Sequence, residues 1–121
     1  MDKRQYIEYI VDDLGAPKHL KGYEQLLDCI DYALNDNGLR MISMYTHVAN
    51  IHNVTKNSVE RNLRHLIEWI KRYSDEERIY HYFGASLPND GSLTNSQFIA
   101  TLSVAVKRIM RTEVNNVNYN R

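Results

Sequence analysis

A chain of 121 residues with 43% apolar and 25% charged residues is sized for one domain with its own hydrophobic core, and wholesale disorder is excluded. Its single cysteine, Cys29, excludes an internal disulfide and a cysteine-based zinc site and points to a reducing compartment. A formal net charge of zero weakens a nucleic-acid reading unless the charge is concentrated locally.

Five Gly and two Pro, with apolar residues recurring at intervals of three and four, predict an all-α chain of about six helices. The first helix is expected from about Lys3 to Leu14, with Tyr6, Ile7, Ile10, Val11 and Leu14 on one face and Gly15 and Pro17 as its stop. After the connector APKHLKG, a broad stripe of Tyr23, Leu26, Leu27, Ile30, Ala33 and Leu34 predicts a second helix from about Gly22 to Asn37, ended by Gly38. Cys29 falls within that stripe and reads as a small buried apolar residue.

Met41, Met44, Tyr45, Val48 and Ala49 continue the period into a short third helix, from about Ile42 to Ile51. The fourth begins near Lys56 with Thr55 as cap, and buries Val59, Leu63, Leu66, Ile67 and Ile70. Between them Asn53 can take the left-handed conformation, and Ala49 is small enough for two helices to cross. Val48 to Arg72, VANIHNVTKNSVERNLRHLIEWIKR, therefore has the spacing of a helix-turn-helix, around which the single domain is organised. His52, where such motifs usually carry an apolar residue, reads as a partly buried His with its polar tip hydrogen-bonded.

Ser74 with Glu77 predicts a capping box opening a fifth helix from Asp75 to Phe83, with Gly84 as its end. ASLPNDGSL, with Pro88 and Asp90-Gly91, reads as a loop. A second box, Thr94 with Gln97, opens a last helix whose stripe of Phe98, Ile99, Leu102, Ala105, Val106, Ile109 and Met110 is wide enough for both a core and a partner surface. Residues 1–114 form the expected domain, and the aperiodic residues 115–121 a disordered tail.

Charge is distributed unevenly. Residues 1–36 hold eight acidic and four basic residues, net −4, whereas Lys56 to Arg72 holds five basic and two acidic, net +3. The exposed side of the fourth helix carries Asn57, Ser58, Glu60, Arg61, Arg64, His65, Glu68, Lys71 and Arg72. Arginine there can pair bidentately with guanine, asparagine with adenine, and glutamate can accept from cytosine. Glu60 and Arg64, four apart, are expected to project together, with Arg61 on the flank. The pairs Glu60–Arg64, Arg64–Glu68 and Glu68–Arg72 are equally how an ordinary solvated helix is built, so the residues alone leave both readings open.

Other chemistry finds little support. The five histidines include no HExxH and no i,i+4 pair, and the phosphate-binding and nucleophile-elbow glycine motifs are absent, so neither metal, cofactor nor catalysis is expected. No apolar run approaches the roughly 18 residues of a transmembrane helix. Met1 to Arg4 precedes no signal-peptide core, so a cytoplasmic location is expected.

Four ordered blocks, LGAPKHLKGY (Leu14 to Tyr23), SVERNLRHLIE (Ser58 to Glu68), YFG (Tyr82 to Gly84) and TNSQFIA (Thr94 to Ala100), span nearly the whole chain. Together they resemble the C-terminal DNA-binding effector domain of the response-regulator family that initiates sporulation in Bacillus-type bacteria. The resemblance implies a six-helix transcription factor that binds double-stranded promoter boxes, often in tandem, with its fourth helix in the major groove. It carries over Glu60, Arg61 and Arg64, with His65, from the family's VERxxRH core. Ser58 stands where the family typically has Arg, and Lys56 and Asn57 are placed to compensate in part. Lys56, Asn57, Ser58, Glu60, Arg61, Arg64 and His65 are thus the expected DNA-binding residues.

The resemblance also implies homodimer contacts on the last helix, expected at Phe98, Leu102, Val106 and Met110. No receiver domain is present in the sequence, so a fragment or a stand-alone relative is expected, the latter controlled by abundance or by a partner. The alternative reading is a receiver-less interaction module that pairs with a full-length regulator or another factor.

Overall fold

The second helix is the one around which the others are packed. The computed structural model describes residues 1–35 and 41–119, with side chains for 1–35 and 43–113. It contains α1 (Lys3–Asp13), α2 (Lys21–Leu34), α3 (Met41–His52), α4 (Lys56–Tyr73), α5 (Glu76–Phe83) and α6 (Asn95–Tyr119). Among the described residues there is no strand, and the fold is all-α. α2 lies against α1, α3, α4 and α6, while α5 packs on α6.

One core runs through these contacts, with Ile7, Ile10, Leu26, Leu27, Ile30, Met44, Leu63, Leu66, Ile70 and Phe98 all fully enclosed. Each such side chain contributes roughly 1.5–3 kcal/mol relative to exposure, which is why the apolar period of the sequence predicts the helices so well. Cys29 is enclosed too, and burial, followed by the Asp28 charge, pushes its thiol up to about 12, leaving it inert near neutral pH.

The helix ends explain the rest of the topology. Asp2 and Gln5 cap α1 reciprocally, each side chain accepting the other's backbone N–H at 2.8 Å. At its other end Asp12 and Asp13 sit against the unfavourable pole of the helix dipole. Each is held by a tyrosine hydroxyl, Tyr23 to Asp12 and Tyr82 to Asp13, both at 2.5 Å. Burial first, and then these bonds to carboxylates, push both phenols well above the usual tyrosine range. Gly15, at φ 79°, turns the chain out of α1.

Several boundaries differ from expectation. α2 stops at Leu34, the Asn35 N–H bonding back to the Tyr32 carbonyl, and the expected stop at Gly38 lies outside the described residues. Ser74 does not open α5. It ends α4, and its hydroxyl donates to the Leu14 carbonyl, while Asp75 caps α5 by accepting the Glu77 N–H. The Thr94–Gln97 box forms as expected, at 2.9 and 3.1 Å. α6 remains helical to Tyr119, so the expected tail from residue 115 is corrected for the backbone that far. Loss of apolar period does not itself stop a helix, and no Gly or Pro follows to do so.

Between α3 and α4, Asn53 takes φ 53°, with Val54 N–H bonding to the Ala49 carbonyl and Asn53 N–H to that of Asn50. This is a Schellman motif with Asn in its left-handed position. Asn53→Gly is expected to leave stability within about 0.5 kcal/mol, whereas the β-branched Asn53→Val should cost about 1–2 kcal/mol in urea denaturation.

Candidate nucleic-acid interface

α4 is oriented from behind by side chains of three other helices. Its buried stripe, Val59, Leu63, Leu66, Ile67 and Ile70, faces the core. The Thr55 hydroxyl accepts the Ser58 N–H at 3.1 Å and donates to Ser58 Oγ at 2.9 Å, fixing the first turn. Asn62 donates to Gln25 of α2 at 3.2 Å. Asn95, at the start of α6, reaches both the Glu60 carbonyl, at 3.1 Å, and the Tyr45 hydroxyl of α3, at 3.3 Å. The crossing with α2 is close: a Cβ at Gly22 would lie 2.4 Å from the Asn62 carbonyl oxygen.

The turn is held by an ion cluster. His52 Nε2 lies 2.6 Å from Asp28 Oδ2, and Arg4 donates to the other Asp28 oxygen at 2.8 Å, so α1, α2 and the end of α3 meet on one mostly enclosed carboxylate. His52 is thus the hydrogen-bonded, partly buried residue that its place in the motif predicts.

On the outer side Asn57, Arg61, Arg64 and His65 are exposed, and Lys56 is exposed at the helix's N-terminal end. Ser58 and Glu60 are half-buried at opposite edges, Ser58 tied to its cap and Glu60 on the side of α6, whose Asn95 reaches its backbone carbonyl. At 100° per residue the direction opposite the buried stripe falls on Arg61 and Glu68, so Arg61 is central and Glu60 marginal, the reverse of the expected placement. Arg61, Arg64, His65, Glu68, Trp69, Arg72 and Tyr73 line an open concavity of about 550 Å3 along the helix. Trp69 and Tyr73, not singled out by charge or motif, are in ring contact there, centroids 5.0 Å apart, and their i,i+4 spacing was the available signal.

Of the expected ion pairs only Glu60–Arg64 forms, at 2.5 Å, between half-exposed groups. Glu68 instead meets Lys71 at 3.2 Å. Lys71, expected on the outer face, has a side chain only 7% exposed. It lies near Asp90, whose carboxyl is lowered chiefly by hydrogen bonds from Ser92 and to a smaller degree by the Lys71 charge. Among the described residues Lys56, Arg61 and Arg72 have no carboxylate partner, as is also true of Lys21 on α2 and of Lys107, Arg108 and Arg111 on α6, whereas Lys3, Arg4, Lys18 and Arg78 are paired. The face therefore carries uncompensated positive charge on a neutral molecule, the arrangement that favours phosphate.

The expected dimer residues are placed differently. Phe98, Leu102 and Val106 are fully enclosed in the core, Phe98 against Phe83 at 5.1 Å, and Met110 alone of the four is partly exposed. A helical stripe cannot distinguish an intramolecular partner from a second copy, and here α1, α2, α4 and α5 cover it. Among the described side chains of α6, the large apolar one presented outward is Val104, 63% exposed.

Among the described residues no three His, Cys, Asp or Glu are grouped to hold a metal ion, and no helix is long and apolar enough to cross a membrane. The family model described as "Sporulation initiation factor Spo0A C terminal" matches residues 7–106, a span from α1 into α6 that takes in the whole helix-turn-helix. The chain belongs to this family, the C-terminal, DNA-binding regulatory domains of the Spo0A sporulation factor.

Proposed function

We propose that the chain binds double-stranded DNA sequence-specifically as a transcription factor, with α4 lying in the major groove of promoter boxes. The observation that carries this reading is the outer face of α4, where Arg61 and Arg72 are free of carboxylates, with Lys56 likewise free at the helix's N-terminal end, on a helix fixed by a left-handed turn and by Gln25 and Asn95. An α-helix of this kind fits the groove in width, and its N-terminal half presents Lys56, Asn57, Arg61 and Arg64 to base edges and phosphates. Glu60 shares Arg64 and reaches bases only from the margin. Ser58 and His65 face the sugar-phosphate wall on the other edge.

Arg61→Ala should weaken binding to a preferred duplex by about 1–3 kcal/mol and relax the preference at one base pair, as loss of a bidentate guanine contact requires. The measurement is anisotropy titration against a duplex recovered by selection from a random pool, with a shuffled duplex of the same composition as reference. Equal affinity for both duplexes at moderate salt in the unaltered protein would overturn the reading. Pairing of two copies on tandem sites belongs to the same proposal. Its contacts on α6 are assigned to Val104 and Met110, because Phe98, Leu102 and Val106 are inside the protomer.

A further inference from the structure

One edge of α4 is bordered by a cation outside the helix-turn-helix. Lys21, the first residue of α2, stands with His19 across an open hollow of about 290 Å3 from Asn62 and His65. It also borders a second hollow, about 360 Å3, shared with Glu24, His52, Ser58 and Arg61. The approach is set by Gly22, whose lack of a side chain lets α2 meet the α4 backbone at Asn62.

Lys21 and His19 are exposed, and neither side chain has an ion pair or hydrogen bond among the described residues. Glu24, the carboxylate that borders the second hollow, is already engaged with Arg4 at 3.4 Å. The charge on Lys21 is thus left uncompensated beside the edge of α4 that carries Ser58, Asn62 and His65. Among the described residues, the hollow at the opposite edge, toward Gly91, Leu93, Thr94 and Ser96, is lined by no lysine or arginine outside α4.

A major groove is about 12 Å wide, and a helix with its side chains is about 10–12 Å across. A helix seated in the groove therefore has a phosphate strand directly along each edge. We propose that Lys21, with His19 beside it, holds a DNA phosphate at the Ser58–His65 edge of α4, a one-sided anchor that fixes which way the helix leans in the groove. The assignment rests on the proposed seating of α4. It differs from that seating in kind, because a phosphate contact adds affinity without sequence information.

The test is the salt dependence of binding for the full chain, its Lys21→Ala and Lys21→Arg variants, and a Lys3→Ala control on α1. The DNA is the selected duplex and its shuffled counterpart. For Lys21→Ala the slope of log K against log salt should become shallower by about 0.9, one phosphate contact, with affinity about fivefold lower at roughly 0.15 M salt. The loss should be the same on both duplexes, with the preference between them intact, and Lys21→Arg and Lys3→Ala should retain the parent slope. An unchanged slope for Lys21→Ala with preference intact overturns this assignment and leaves the function standing. A changed preference with an unchanged slope overturns it as well, by making Lys21 a base reader. No preference in the parent chain removes the function itself.

Discussion

Gly22→Ala should destabilise the protein by about 1–3 kcal/mol, although alanine is the better helix former. The expected sign comes from what the new methyl would meet. It would lie 2.4 Å from the Asn62 carbonyl oxygen and 3.0 Å from its carbon, both backbone atoms of α4 that cannot rotate away. The Leu66 Cβ, at 3.1 Å, closes the third side. α2 must therefore back away from α4, loosening the contact shared by Tyr23, Leu26, Leu63 and Leu66 and lengthening the Asn62–Gln25 hydrogen bond. Gly22 is not in a left-handed conformation, so the cost is steric, and the intrinsic preference for alanine, about 1 kcal/mol, offsets it only in part. Urea denaturation measures the difference directly. A Gly22→Ala protein as stable as its parent would show that the two helices do not approach so closely.

Phe98→Ala should cost about 3–5 kcal/mol, the range for deleting a fully enclosed phenyl ring. Phe98 has no exposed surface, packs on Phe83 and lies in the same cluster as Ile99 and Leu102. The loss should be independent of protein concentration, because the ring is buried within one protomer. If Phe98 were a subunit contact, the stability of the parent would rise with concentration and the variant would abolish that dependence. Measuring the unfolding midpoint over a hundredfold range of concentration separates the two.

A few residues decide how much of the fold is legible in the sequence. The apolar period located all six helices because it reports burial, and Asn53, Gly15 and Gly84 marked turns because their left-handed backbones are a local property. His52 could be read because a polar residue at an apolar position needs a partner, although Asp28 as that partner was hidden by the distance along the chain. Ser74 differs from expectation because two caps compete within adjacent residues: Asp75 takes the N-terminal role while Ser74 closes α4. Arg61, expected on the flank of the exposed side, is at its centre, because the direction of the outer face is set by which side chains are buried. Phe98, Leu102 and Val106, expected against a second copy, are enclosed within the protomer, because a stripe names a buried face but not what buries it. Gly22 and Lys21 gave no signal in isolation, since their importance lies in α4 passing beside them.

The side chains that hold α4 from the inner side also determine how a ligand would meet it. Gln25, Asn95 and the Thr55 cap fix its backbone, and Asp28 with His52 fixes the turn ahead of it, all without using the outward Lys56, Arg61 or Arg72. The ordering entropy of the helix is spent in folding, so a partner arriving at this face finds it preorganised. What remains to be immobilised is the rotamer freedom of a few long side chains, about 0.5–1.5 kcal/mol for each.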